Sequence, residues 1–181
     1  GGTTAKICLL KDLKPRKATE FEFGRVHQNK PGSGIKVKVP SIHMLEIGAG
    51  GGSIAEVDEL GLLKIGPESA GSDPGPICYG QGGKNVTITD VNLLLGYLST
   101  DKLLAGHLEL NYLRTSEIVD STARKHNYPT DEFLTGIRKV VNENMSQAIK
   151  LHVTELGEDH IQSIIYSFGG AGHLHANYIC K

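Results

Sequence analysis

Between Thr130 and Leu156, the side chains of Phe133, Ile137, Val140, Val141, Met145, Ala148, Ile149, His152, Val153 and Leu156 recur at three- and four-residue steps. That is the spacing of one buried face of an α-helix. Thr130 suits an N-cap and Gly157 suits a stop, so the pattern predicts a helix over 130–156. His152 falls on the same face and reads as core or interface. Met145 reads as gap-filling core. A helix this long needs a second layer to cover its apolar face.

The first half of the chain supplies short β segments. Strands are predicted at Thr3–Leu10, Thr19–Phe23 and Ile35–Val39, from alternation or β-rich composition, and His43–Ile47 leads into a glycine run. A loop at Lys30–Gly34 separates the second and third, and Pro40 ends the third. Ser53–Val57, the turn Asp58–Gly61 and Leu62–Ile65 read as strand, turn, strand. Residues 68–85 read as a turn-rich loop restrained by Pro74 and Pro76. Helices are predicted over Val91–Leu98, started by Thr89-Asp90, and from Thr115-Ser116 to about Asn127. Gln162–Phe168 reads as a short buried strand, and Gly169-Gly170-Ala171-Gly172 as a turn into a last helix. The class is α/β, read as one domain over 1–181, strand-rich over 1–85 and helix-rich over 86–181.

Composition narrows the function. A formal net charge of -1 gives no basic footprint for nucleic acid or an anionic membrane. No apolar run is long enough to cross a bilayer, and no signal peptide opens the chain. Cys8, Cys78 and Cys180 are scattered, which favours a reducing cytoplasm over a disulfide framework. Asn85-Val86-Thr87 fits a glycosylation sequon by chance. The chain opens on Gly1-Gly2-Thr3-Thr4 without methionine and stops inside a nascent helix, as a piece of a longer polypeptide would.

The 23 glycines concentrate in a few loops, so a phosphate cradle has to be tested. Gly48-Ala49-Gly50-Gly51-Gly52-Ser53 spells G-x-G-x-x-S and leads into a hairpin, not a helix, which excludes a dinucleotide-binding fingerprint. Gly83-Lys84 is followed by Asn85 and preceded at the required spacing by Cys78, which excludes a P-loop. Gly1–Thr4 and Gly169–Gly172 remain. Each is a glycine turn beside a strand, and the second opens a helix whose amide donors face outward.

Five strings then carry a resemblance. They are Ile47-Gly-Ala-Gly-Gly-Gly-Ser-Ile-Ala55, Gly66-Pro-Glu-Ser-Ala-Gly-Ser-Asp-Pro-Gly-Pro-Ile-Cys-Tyr-Gly-Gln-Gly-Gly83, Thr87-Ile-Thr-Asp-Val-Asn-Leu-Leu-Leu-Gly96, Asn142-Glu-Asn-Met-Ser-Gln-Ala-Ile149 and Phe168-Gly-Gly-Ala-Gly-His-Leu-His-Ala176. In this order they resemble the A-type chains of the hydantoinase/5-oxoprolinase family over nearly the whole sequence. The resemblance implies a ribonuclease-H-like, actin-type ATPase half with a glycine-rich β insertion. It implies ATP and Mg²⁺ as cofactors, a B-type subunit or domain as partner, and a small cyclic amide (hydantoin, N-methylhydantoin or 5-oxoproline) as substrate. It likewise implies a nucleotide site at Gly1, Gly2, Thr3, Thr4, Gly169, Gly170, Ala171 and Gly172. Gly48, Gly50, Gly51, Gly52, Ser53 and Ser69 would form a substrate or partner loop. An ATP-dependent ketone carboxylase is the alternative within the family. A non-catalytic module that holds nucleotide or partner is the alternative outside it.

Departures are His173 where the family commonly has Pro, and Gln81 where it commonly has Arg. The second removes a fixed positive charge. Asp73 and Asp90 are candidate catalytic carboxylates, each with a rival reading as a turn or helix cap. His173 and His175 form a His-x-His pair, a candidate for metal that needs further ligands.

Overall fold

The computed structural model describes residues 1–23, 34–101, 106 and 108–180. Residues 30–33 of the predicted loop lie outside the described residues. The described chain is α/β and divides into two compact units, Lys6–Glu46 and the remainder, where the sequence reads as one domain.

The unit Lys6–Glu46 is built of short ladders. β1 (Ala5–Cys8) pairs with β8 (Met44–Ile47), β2 (Leu10–Lys11) with β3 (Lys14–Pro15), β4 (Lys17–Ala18) with β7 (Ser41–Ile42), and β5 (Phe21–Phe23) with β6 (Ile35–Val37). None of the described side chains of this unit is buried. Backbone pairing, not a core, gives it form.

The larger unit carries the core. β9 (Ser53–Val57) and β10 (Leu63–Ser69) form an antiparallel hairpin in the register Leu63 opposite Val57 and Ile65 opposite Ala55. Asp58 holds its turn by accepting the N–H groups of Leu60 and Leu62 at 2.9 and 2.8 Å. A single 3₁₀ turn follows at Ile77–Tyr79, then α1 (Ile88–Leu94), α2 (Tyr112–Lys125), α3 (Thr130–Glu155) and α4 (His173–Ile179). The hairpin, α1, α2 and α4 all pack on α3. Phe133, Ile137, Val141 and Met145 of α3 meet Ala55, Ile65, Val91 and Val119 in one cluster. Gly157, at φ +76°, ends the helix in the left-handed region where glycine carries no steric penalty.

Three expectations need correction. Thr87, not Thr89 or Asp90, caps α1, because its hydroxyl can accept the Asp90 N–H while Asp90 reaches back to the Thr87 N–H. Asn111 caps α2 through the Arg114 N–H at 3.0 Å, so that helix starts ahead of Thr115. Gln162–Phe168 forms no strand and is exposed throughout, with Ile164 at 79% and Phe168 at 89%. An apolar run becomes a strand only where another strand can pair with it, and no described strand lies beside this one.

Candidate functional site

The two glycine loops nearest the N-terminus touch. Gly51 N–H donates to Gly1 O at 3.0 Å, and Gly52 N–H donates to Gly2 O at 2.6 Å. A Cβ on Gly50 would lie 2.5 Å from Gly2 O and 2.6 Å from Gly1 O. One on Gly51 would meet Thr89 Oγ1 at 2.8 Å, and one on Gly52 would meet Ser69 Oγ at 2.8 Å. Gly50 to Ser53 are buried, and Ser53 Oγ accepts the Gly50 N–H at 2.8 Å. This loop is glycine-rich because its neighbours leave no room for side chains. Of the residues assigned to a substrate or partner loop, Gly48 is exposed and Ser69 half-buried, with Ser69 Oγ 3.5 Å from Thr3 Oγ1.

Gly1–Thr4 differs. Gly1, Gly2 and Thr3 are exposed, and a Cβ on Gly2 would meet no atom within 4 Å. Gly170 is likewise exposed and would meet nothing, while Gly169 has φ +92°. Neither crowding nor a left-handed backbone explains glycine at 2 or at 170.

Behind the first turn sits a buried carboxylate. Asp90 has no exposed surface and accepts four hydrogen bonds: from the N–H groups of Ile77 (3.3 Å), Cys78 (2.8 Å) and Thr87 (2.9 Å), and from Thr87 Oγ1 (2.7 Å). Its acceptor capacity goes to joining the 3₁₀ turn to α1. Burial first, and then the Asp90 charge, push the Cys78 thiol well above the ordinary range, so it stays protonated and is no nucleophile. Asp73 stands exposed in the loop Gly71–Gly75, remote in character from the enclosed Asp90.

The second turn leads into α4. His173 is exposed, with Nδ1 3.1 Å from Gly169 O. His175 is buried, and its Nδ1 meets Asn142 Oδ1 at 2.7 Å. Two residues apart on a helix, the rings diverge by roughly 200°. Among the described residues, no third His, Cys, Asp or Glu joins them in a set that could hold a metal. Burial lowers the His175 pKa to about 4, aided by the charges of Arg138 and His173. The ring is therefore neutral at physiological pH.

Sequence reasoning missed three residues that organise this region. Thr89 donates to Gly51 O through both N–H and hydroxyl at 2.8 Å. Arg138 donates to Asn92 Oδ1 and to Leu174 O, both at 2.5 Å. Asn142 receives His175. A signal was present: Arg138 and Asn142 are polar residues one turn apart beside the apolar stripe of the longest helix, where solvated charge alone does not explain them.

The family model described as hydantoinase/oxoprolinase matches residues 1–181. An uncharacterised protein of Methanocaldococcus jannaschii is 42% identical over 97% of this chain and 26% of its own length. Caprolactamase subunit alpha of Pseudomonas jessenii is 36% identical over 97% of this chain and 24% of its own. Acetophenone carboxylase gamma subunit of Aromatoleum aromaticum is 40% identical over 77% and 19% respectively. The crystal structure of the ATP-dependent caprolactamase from Pseudomonas jessenii superposes with a TM-score of 0.81 at 34% identity, over 99% of this chain and 26% of that one. The chain thus spans about a quarter of the length of the first curated relatives it matches.

Proposed function

This chain belongs to the hydantoinase/oxoprolinase family, and we propose that it supplies part of the nucleotide site of an ATP-dependent cyclic-amide hydrolase. The fold in this reading is half of an actin-type, ribonuclease-H-like ATPase core, and the protein works in the cytoplasm. Its substrate is a lactam or hydantoin-type ring, held with the help of a B-type subunit or domain.

One observation supports the nucleotide assignment above the others. Gly2 and Gly170 lie on two separate turns, and nothing inside the folded chain requires glycine at either position. In this reading Gly1–Thr4 offers backbone donors to phosphate oxygens, and Gly169–Gly172 lets the chain pass close to the adenosine. The residues present fit ATP in this sense. Among the described residues no group of three His, Cys, Asp or Glu gathers as a metal cage, so Mg²⁺ would come with the phosphates, and no step here runs through the metal. ATP, when bound, supplies the phosphoryl group that makes a stable amide carbonyl attackable by water. The chain's own contribution is to hold the phosphates with preorganised donors and keep the reacting group in place. Asp90 supports the α1 end of this arrangement from inside.

The acetophenone carboxylase relative favours a second reading, a subunit of an ATP-dependent ketone carboxylase using bicarbonate. The 181 residues in isolation would then, in either case, act as a binding or assembly module.

The test is phosphate release from ATP by the polypeptide carrying this chain together with its B-type partner. Hydantoin, 5-oxoproline, caprolactam, or ketone with bicarbonate would be supplied in turn. Stimulation by a cyclic amide supports the hydrolase. Stimulation only by ketone with bicarbonate moves the protein to the carboxylases. Absence of any stimulation removes the grounds for a substrate class.

A further inference from the structure

Four parts of the larger unit converge on one guanidinium. Arg138 projects from α3, and its Nη1 donates to Asn92 on α1 while its Nη2 donates to the Leu174 carbonyl on α4. Its Cζ also lies 3.6 Å from the centre of the Tyr97 ring, just beyond α1. One turn along α3, Asn142 holds the next α4 residue, His175. α3 thus holds two successive residues at the start of α4. The segment before it is exposed from Ile161 to Gly170. Among the described residues, the side-chain hydrogen bonds that fix α4 to another helix come from α3.

The same guanidinium connects to the other glycine turn. Gly1 and Gly2 carbonyls accept from Gly51 and Gly52, Gly51 O accepts from Thr89, and Thr89 lies one turn before Asn92 on α1. A continuous path of hydrogen bonds and one helical turn runs from Gly1-Gly2 through α1 to Arg138 and on to α4. A planar fork with two donors at fixed separation suits this junction, and an ammonium does not reproduce it.

We infer that Arg138 is a positioning residue that sets the spacing between the Gly1–Thr4 and Gly169–Gly172 turns. Through that spacing it sets affinity for a nucleoside triphosphate rather than for bare polyphosphate. The inference rests on the nucleotide reading of those turns. Arg138 touches no ligand in it. Asn142 supports the same helix through His175.

The experiment compares wild type, Arg138→Met and Arg138→Lys in the polypeptide carrying this chain. Calorimetry measures binding of ATP and of inorganic tripolyphosphate. Amide hydrogen exchange over residues 173–180 is followed without nucleotide. Arg138→Met should weaken ATP about tenfold, the size of one or two lost charged hydrogen bonds, and leave tripolyphosphate within about twofold. Exchange in α4 should accelerate, and Arg138→Lys should not restore either property. Unchanged exchange would overturn the positioning role whatever nucleotide does. Equal weakening of ATP and tripolyphosphate would reduce Arg138 to a general stabiliser, and full rescue by Lys would show that charge alone suffices. Wild type that binds no ATP sinks the nucleotide reading and the affinity claim with it, while exchange still decides whether Arg138 holds α4. If Arg138→Met does not fold, Asn142→Leu loosens α4 from the neighbouring position and must give the same ATP-selective loss.

Discussion

Two glycine-rich regions of this molecule look alike as strings and differ in why they contain glycine. In Gly50-Gly51-Gly52, every added Cβ would strike a neighbour within 2.8 Å, and two of the atoms struck at Gly50 are backbone carbonyls. At Gly2 and Gly170 an added Cβ would strike nothing within 4 Å. The first region is glycine because the fold closes around it. The second is glycine without a reason among the described residues, and the proposed nucleotide would supply one. Glycine density therefore marks two opposite situations, support and contact, and only the surroundings separate them.

The contrast has consequences that can be broken one at a time. The support region rests on α1, and α1 is anchored by Asp90. Asp90→Ala strands three backbone N–H groups and the Thr87 hydroxyl in the interior. It should cost about 4 kcal/mol in urea unfolding. A cost below about 1 kcal/mol would mean that water or another group takes over these donors. Next comes Gly50→Ala, whose methyl group has to displace Gly1 and Gly2 backbone. About 3 kcal/mol of stability should be lost, with nucleotide binding failing alongside because the first turn moves. Retained stability would show that the loop gives way easily, and the support half of the contrast would fail.

His175 adds a pH-dependent test on the side of the second turn. Its pKa falls from its ordinary value to about 4 on folding, so the unfolded chain binds the proton more readily. The stability this provides is complete above the unfolded pKa near 6.5 and is lost as pH falls toward 4. Between about pH 7.5 and 5 the loss from this group should be about 2 kcal/mol. His175→Gln should flatten that part of the urea-midpoint profile. An identical slope in the variant would place the effect elsewhere. The smallest stability effects belong to Gly2→Ala and Gly170→Ala, within about 0.5 kcal/mol of wild type. Each should nevertheless weaken ATP about tenfold, by separating the ligand from the backbone. Unchanged affinity in both would remove the reason offered for these glycines.

Much of the framework was legible in the linear chain. The 3.6-residue recurrence from Phe133 to Val153 specified α3 nearly to its ends, and the strand–turn–strand pattern specified β9 to the residue. Gly157 was readable as a stop because a local backbone requirement has a local signature. The α1 cap was misread by two or three positions, since Thr87, Thr89 and Asp90 all have capping chemistry and only the closed box identifies its first member. Gln162–Phe168 was misread because strand formation is a property of a pair, and an apolar run carries no record of its partner.

The sequence by itself determined the α/β class, the helix that organises the core and, through long motif strings, the family. Each depends on periodicity, turn chemistry or an extended match that survives without coordinates. Only the tertiary structure decided which glycines are crowded and which are open, that Asp90 is an internal anchor, and that Arg138 joins α1 to α4. Those are relations between atoms 12 to 50 positions apart in the chain, such as Gly2 with Gly52 or Arg138 with Asn92. Distance in sequence says nothing about them, because packing alone brings such groups within reach of one another.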